Sequence, residues 1–188
     1  MAGSRAERHP VAVAVACLGA FLVVTSLPVA AWLEDAGLSA GGANAVHAGL
    51  LAALMLGAAA WYGLLDGGRA GLLVMAGVAA PAAFAGPVGA YLSWCAFTGV
   101  AEEVLLCGIL YPCLRSCGGS ERRAWLGAAA LFAACHVTGT LPMGWAVARV
   151  LFAGAFAWAM IWLARRTGRL WVPALCHAAF DAAFFLLT

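Results

Sequence analysis

Charged residues are scarce in this chain, and lysine is missing altogether. Only 10% of the 188 residues are charged, 65% are hydrophobic, and the mean hydropathy is +0.98. Such a composition cannot supply the charged surface that a sizeable soluble domain needs. At about 20 residues per spanning helix, the chain has room for about seven or eight membrane spans joined by short loops. We therefore expect a single all-α domain, a polytopic transmembrane helical bundle.

Other absences exclude further classes of protein. The ten basic residues, all arginine, are divided among short connections and form no basic stripe, so nucleic acid is not an expected partner. The seven cysteines are odd in number and have no spacing typical of a disulfide framework. No His-Glu-x-x-His motif of zinc proteases is present. No internal repeat or pair of broken helices of the kind used in alternating-access transport is visible.

Apolar runs between charged or Pro/Gly breaks predict about seven spanning helices. The first run, 11–31, is longer than the core of a signal peptide, which predicts an uncleaved anchor. Pro28 and Pro112 are expected to kink the first and fourth helices near their ends. The predicted spans are 11–33, 43–65, 70–84, 89–114, 121–137, 141–164 and 170–187.

The arginines predict the orientation of these spans. Nine of the ten fall before the first span or in the connections of one side, and the opposite connections carry none. The positive-inside rule then places the N terminus in the cytoplasm. The lysine-free, Ala- and Gly-rich composition is typical of a GC-rich bacterial source, so we expect an integral protein of the bacterial inner membrane, surrounded by the lipid bilayer.

Five ionisable side chains nevertheless lie inside the predicted spans: Glu102, Glu103, His136, His177 and Asp181. A charged group at the centre of a bilayer costs roughly 2.5–3.5 kcal/mol on insertion scales, so each is a candidate functional residue. Counted from the inner arginines, Glu102, His136 and Asp181 lie roughly 18–21 Å into a hydrocarbon core about 30 Å thick. We expect one buried polar site, made by the fourth, fifth and seventh spans.

Arg149 is the one arginine far from the connections, well inside the sixth predicted span. An unpaired guanidinium in hydrocarbon is strongly unfavourable, so an ion pair with Glu103 on the fourth span is one expectation. The other is that Arg149 extends to the outer headgroups.

In chain order, the motifs are Glu102-Glu103, Phe132-x-x-x-His136 and His177-x-x-x-Asp181. Together they resemble the CPBP family (CAAX prenyl protease and bacteriocin-processing) of glutamic-type intramembrane proteases, which includes the type II CAAX prenyl endopeptidases. Cys107 stands where the family has an arginine four residues after the paired glutamates. Asp181 stands where family members often have asparagine. The resemblance implies a catalytic core at about 89–188 and accessory helices at 11–84 within one domain, 1–188.

The resemblance also implies roles for these residues. Glu102 would act as general base on a water that His136 orients, with Phe132 in support. His177 would donate to the developing oxyanion, and Asp181 would hold the His177 tautomer or, when protonated, donate itself. We expect no cofactor. The alternative is a zinc ion held by His136, His177 and Glu102.

The expected activity is that of an intramembrane endopeptidase whose substrate is a membrane-anchored protein or peptide. Two alternatives stay open: a catalytically inactive relative that acts as an immunity or scaffold protein, and a proton-coupled transporter. Two other polar features have simpler explanations. We interpret the Gly-Leu-Ser-Ala-Gly string at 37–41 as a turn of small residues rather than a nucleophile elbow. We interpret His47 as a residue that forms a hydrogen bond between two helices.

Overall fold

The computed structural model describes residues 9–65, 69–118, 120–137 and 143–187. Over these ranges the chain is helical and contains no β-strand, as expected from the sequence. The helices, in chain order, are α1 (Pro10–Ser26), α2 (Val29–Asp35), α3 (Ala40–Trp61), α4 (Arg69–Ala82), α5 (Pro87–Glu103), a π-helical segment (Val104–Leu110), α6 (Tyr111–Ser116), α7 (Glu121–Ala134), α8 (Met143–Thr167) and α9 (Trp171–Leu187).

Prolines and serines account for several of the helix ends. The predicted kink at Pro28 is confirmed, because α1 ends at Ser26 and α2 begins at Val29. The Ser39 hydroxyl accepts a hydrogen bond from the Gly42 N–H at 3.2 Å and so caps α3. Ser39 therefore has a structural task at the start of a helix, and the β-strand that precedes a nucleophile elbow is absent from the described residues. Ser120 caps α7 in the same way through the Arg123 N–H.

The fourth predicted helix changes its winding in the middle. Between α5 and α6 the chain forms a π-helix from Val104 to Leu110, and the Tyr111 N–H bonds to the Leu106 carbonyl five residues earlier. Pro112 follows immediately and has no N–H to donate, so the regular α-helical bond pattern is interrupted there. Such wide turns are often found at functional sites. This one directly follows Glu102 and Glu103.

Helix α5 occupies the centre of the bundle. It packs against α3, α4 and α9, while the π-helical segment also contacts α1, α3, α7 and α8. All seven residues of the π-helical segment are buried. The outer helices α1, α3, α4 and α8, by contrast, expose large apolar side chains such as Val15, Leu50, Val78 and Leu151. Apolar side chains on the outside and a polar cluster within are the pattern of a protein embedded in lipid.

Seven helical stretches match the seven predicted spans, if α1 with α2, and α5 with the π-helix and α6, are each counted as one. Within the described ranges four of them are long and apolar enough to cross a membrane: Pro10–Asp35, Ala40–Trp61, Pro87–Ser116 and Met143–Thr167. Helices α4 and α7 have 14 residues each and α9 has 17, shorter than the roughly 20 residues that a spanning helix needs. The count of seven spans and the cytoplasmic N terminus stay predictions.

Candidate active site

The site begins where α5 and α9 come into backbone contact. A Cβ atom on Gly99 would lie 2.7 Å from the Ala174 carbonyl oxygen and 3.0 Å from the Ala178 backbone nitrogen. Only a residue without a side chain fits there, as at other close helix contacts in membranes. One turn further along α5, Glu102 and Glu103 consequently face His177 on α9.

Glu103 and His177 form the buried base of the site. His177 Nδ1 lies 2.8 Å from Glu103 Oε1, and the Cys107 thiol donates to Glu103 Oε2 at 3.2 Å. The Glu103 side chain is 0% exposed and that of His177 is 7% exposed. Both carboxylate oxygens of Glu103 thus have a donor, which is what a carboxylate buried in protein requires.

Glu102 lies on the open side of the same pair. One of its carboxylate oxygens, Oε2, is 3.7 Å from His177 Nε2 and 4.0 Å from His136 Nε2. Asp181 Oδ2 is 3.8 Å from the same Nε2 atom of His177. The predicted gathering of these side chains from three distant parts of the chain is therefore what the structure contains.

The backbone fixes the tautomer of His136. Its Nδ1 atom lies 2.9 Å from the Phe132 carbonyl oxygen, and because a carbonyl only accepts, Nδ1–H is the donor. In the neutral ring Nε2 then carries a lone pair directed at Glu102. His136 lies just beyond the end of α7 at Ala134, not within a helix reaching residue 137 as the sequence suggested. The helix closes at Ala133 and Ala134, whose carbonyls accept from the N–H groups of His136 and Val137.

The predicted role of Asp181 as the group holding the His177 tautomer is wrong for this structure. Glu103 occupies Nδ1 of His177, and Asp181, one helical turn further along α9, faces Nε2 instead. His177 Nε2 therefore faces two carboxyl groups, Glu102 and Asp181.

Sequence reasoning missed two residues that hold this arrangement. Phe156 of α8 packs edge-on against the His177 ring, with centroids 4.7 Å apart and an interplanar angle of 68°. The Tyr91 hydroxyl donates to the Asp181 carbonyl oxygen at 2.8 Å. Tyr91 precedes Glu102 by three helical turns on the same helix face, a spacing that could have indicated it. Phe132, the residue predicted to support the site, contacts the His136 ring, and the two ring centroids are 4.7 Å apart.

The expected ion pair between Arg149 and Glu103 is not formed. Glu103 is enclosed by His177 and Cys107, whereas the Arg149 side chain is exposed on α8. Among the described residues no carboxylate lies within 4.0 Å of the Arg149 guanidinium. Its charge still interacts with Glu102 and His136 over a longer distance.

The cysteines form no disulfide; all seven are free thiols. Cys107, expected to serve helix packing, also donates to Glu103. In the described part of the chain, no three His, Cys, Asp or Glu side chains are arranged so that they could hold a metal ion. The three residues of the zinc alternative, His136, His177 and Glu102, nevertheless lie together, with the two imidazole Nε2 atoms 4.0 and 3.7 Å from Glu102 Oε2.

Residues 82–183, more than half of the chain and all of the site, match the profile described as type II CAAX prenyl endopeptidase Rce1-like. The chain belongs to the Rce1-like family. No curated protein and no solved structure matches it. Rce1-like proteins are membrane proteases, so the membership supports a peptidase, and the resemblance found in the three motifs is confirmed.

Proposed function

We propose that this Rce1-like protein is an intramembrane endopeptidase that hydrolyses a membrane-anchored polypeptide with a water activated by Glu102. One observation carries the proposal. A single carboxylate oxygen of Glu102 faces the Nε2 atoms of both His136 and His177 in a site with a buried floor and a partly open mouth. The side chains of Glu102 and His136 are 16% and 22% exposed, so both are accessible to a water molecule.

The separation between Glu102 and His136 suits a shared water. At 4.0 Å the two atoms are too far apart for a direct hydrogen bond. A water about 2.8 Å from each could donate to both, because the Glu102 carboxylate and the unprotonated Nε2 of His136 are acceptors. Glu102 then takes the proton as the water oxygen attacks the peptide carbonyl.

His177 is the group that can stabilise the resulting oxyanion. With Nδ1 fixed by Glu103, its Nε2 atom points to the Glu102 and Asp181 side of the site. When protonated, Nε2–H can donate to the tetrahedral oxygen, and a protonated Asp181 can add a second donor. Because Glu103 is buried and accepts two hydrogen bonds, its role is to position His177 rather than to contact the substrate.

The replacement of the family arginine by Cys107 does not leave Glu103 without donors. The Cys107 thiol takes one oxygen and His177 takes the other. This observation favours an enzyme over an inactive relative, because Glu103 keeps a hydrogen-bond donor on each oxygen although a neutral side chain replaces the arginine.

Replacement of Glu102 by glutamine tests the proposal, because an amide cannot accept the proton. In proteoliposomes, Glu102→Gln should lower the cleavage rate by about 10²–10⁴-fold while the melting temperature stays near that of the wild type. The exposed residue Glu34 provides the matched control, since Glu34→Gln makes the same chemical change away from the site. A comparison of the termini of membrane proteins from cells that carry the wild type or Glu102→Gln would identify the substrates. Equal cleavage by the two variants would refute the proposal.

We further propose that the reaction needs no metal ion. We also propose that the chain is one domain, in which residues 89–188 form the catalytic core and the helices at 11–84 are accessory. The proposed location is a bacterial inner membrane with the N terminus in the cytoplasm. Full activity after treatment with a chelator is the expected result. Loss of activity that zinc restores would instead assign the metal to His136, His177 and Glu102.

A further inference from the structure

An apolar groove lies on the surface of the bundle between α1, α6 and α7, away from the catalytic cluster. Its volume is about 140 Å³, and the side chains that line it are either apolar or thiols. Leu110, the last residue of the π-helical segment, is fully buried and forms part of its wall. An apolar cavity of roughly 150 Å³ can hold a benzene molecule, so this groove has room for several methylene groups.

The groove runs along α1 from the first turn of that helix. Pro10 and Leu18 both line it, which corresponds to a length of roughly 12 Å along the helix axis. One leaflet, half of a hydrocarbon core about 30 Å thick, measures about 15 Å. The length of the groove therefore suits one acyl chain of a single leaflet, lying alongside α1.

One end of the groove, at Pro10 and Cys117, coincides with the arginine-rich end of the molecule. Here α1 begins, α6 ends and α7 begins, and Arg165 of α8 reaches both Tyr111 and Glu121. Among the described residues Glu121 is the one acidic residue at this end, and it is paired with Arg165. The exposed arginines at this end are Arg115, Arg122, Arg123, Arg165, Arg166 and Arg169. The excess positive charge is complementary to an anionic headgroup.

Arg123 is the arginine that helical spacing places beside the groove. It precedes Gly127 by one turn and Leu131 by two turns on α7. Leu131 lines the groove, and a Cβ atom on Gly127 would lie 3.2 Å from Leu114, another lining residue. The Arg123 side chain is exposed in the first turn of α7. A guanidinium at this position suits a phosphate group, to which it can donate two parallel hydrogen bonds.

We propose that the groove binds one anionic phospholipid of the leaflet on the arginine side. One acyl chain lies against α1, α6 and the π-helical segment, and the headgroup phosphate binds Arg123. A zwitterionic phospholipid offers the same chain, but its headgroup carries a compensating positive charge. One arginine near the membrane surface favours the anionic lipid about fivefold.

Titration of the delipidated full-length protein in detergent tests the headgroup. Native mass spectrometry measures the Kd of the first bound lipid for phosphatidylglycerol and for phosphatidylcholine with the same acyl chains. Wild type should bind phosphatidylglycerol about fivefold more tightly, and Arg123→Gln should remove this preference. Arg123→Lys should keep most of it. Arg169→Gln, which removes an exposed arginine at the same end but away from the groove, is the matched control and should keep it as well.

A second pair of variants tests the groove itself. Val15 lines the groove and Val74 on α4 does not, and both side chains are 65% exposed. Val15→Trp should fill the groove and weaken the binding of both lipids by at least about tenfold, the loss expected for two buried methylene groups. Val74→Trp should leave both Kd values unchanged, and the melting temperatures show that the variants fold.

Three results would overturn the inference. Equal Kd values for the two lipids in wild type would show that no anionic headgroup is recognised. An equal effect of Arg123→Gln and Arg169→Gln would assign the preference to the overall charge of this end. Equal binding by Val15→Trp and Val74→Trp, or a mass of two chains that lipid does not dissociate, would show that no lipid chain occupies the groove. None of these results depends on proteolysis, so the proposed protease function stands or falls separately.

Discussion

The two halves of this bundle are held together by different means. In the second half, the stretch Pro87–Ser116 is largely buried, and its Glu103 is bonded to His177 and Cys107. Among the described residues, the first half up to Ala82 contains no buried charged side chain. Its side-chain hydrogen bonds are mostly to backbone carbonyl oxygens. His47 Nε2, for example, lies 2.9 Å from the Val24 carbonyl oxygen. This hydrogen bond joins α3 to α1, which confirms the interpretation of His47 as a residue that bonds two helices.

The comparison indicates where the sequence is most constrained. A lipid-facing helix needs only apolar side chains, since the bilayer accepts many of them equally well. A buried charge needs particular partners at particular distances, because an unpaired one is strongly destabilising. Replacements in the second half should therefore affect both activity and stability, and replacements in the first half should affect stability alone.

The largest effect is expected for Glu103→Ala. It leaves His177 Nδ1 and the Cys107 thiol without their acceptor in a fully buried position, so unfolding should become easier by about 3 kcal/mol and cleavage should be lost. Glu121→Ala, which removes the exposed partner of Arg165, should cost at most about 1 kcal/mol. Denaturation in detergent and a cleavage assay measure both quantities. Similar losses for the two variants would remove the contrast between buried and exposed charge.

Gly99→Ala should have the next largest effect, because the new methyl group would overlap the Ala174 carbonyl and force α5 and α9 apart. We expect a loss of about 1–3 kcal/mol and a clear fall in cleavage rate per folded molecule. Gly57→Ala on α3 adds the same methyl group where no atom lies within 4 Å, and should be neutral or stabilising. Equal activity of the two alanine variants would show that the helix contact does not position the site.

Asp181→Asn should change the pH profile more than the fold. A carboxyl group donates a hydrogen bond only while protonated, so wild-type activity that uses this donor should fall as the pH rises and Asp181 loses its proton. The amide donates at every pH, and the variant should therefore keep its activity further into the alkaline range. Rate measurements from pH 5 to about 9 compare the two profiles. Superimposable profiles would remove Asp181 from the proposed oxyanion stabilisation.

The smallest effect is expected for His47→Leu in the first half. Interhelical hydrogen bonds in membrane proteins average about 0.6 kcal/mol, and this variant removes the single bond to the Val24 carbonyl. Cleavage per folded molecule should be unchanged. Loss of activity without loss of stability would show that the first half takes part in catalysis and would end the distinction between the halves.

Much of the bundle follows from local rules in the sequence. Apolar runs predicted the seven helical stretches, and Pro28 predicted the break between α1 and α2. The convergence of Glu102, His136, His177 and Asp181 followed from the cost of charge in lipid together with their similar depth. These arguments work because each depends only on spacing along one helix and on the thickness of the bilayer.

The partners within the site could not be predicted in the same way. Whether Glu103 pairs with Arg149 or with His177 depends on the close approach at Gly99 and on the π-helical winding after Glu103, and neither is visible as a pattern in the sequence. The hydrogen bond from Cys107 likewise requires knowing that a thiol four residues away faces the carboxylate. Contacts between helices are set by rotation and register, which hydropathy does not encode.

A kinetic double-mutant cycle on Glu102 and His136 tests the central claim, that the two side chains act on one water molecule. Cleavage rates of Glu102→Gln, His136→Ala and the double variant are compared in proteoliposomes. Residues that act as a unit are not additive, so the double variant should be about as slow as the slower single variant. Losses that multiply would mean that the two groups act independently, and would contradict the shared site.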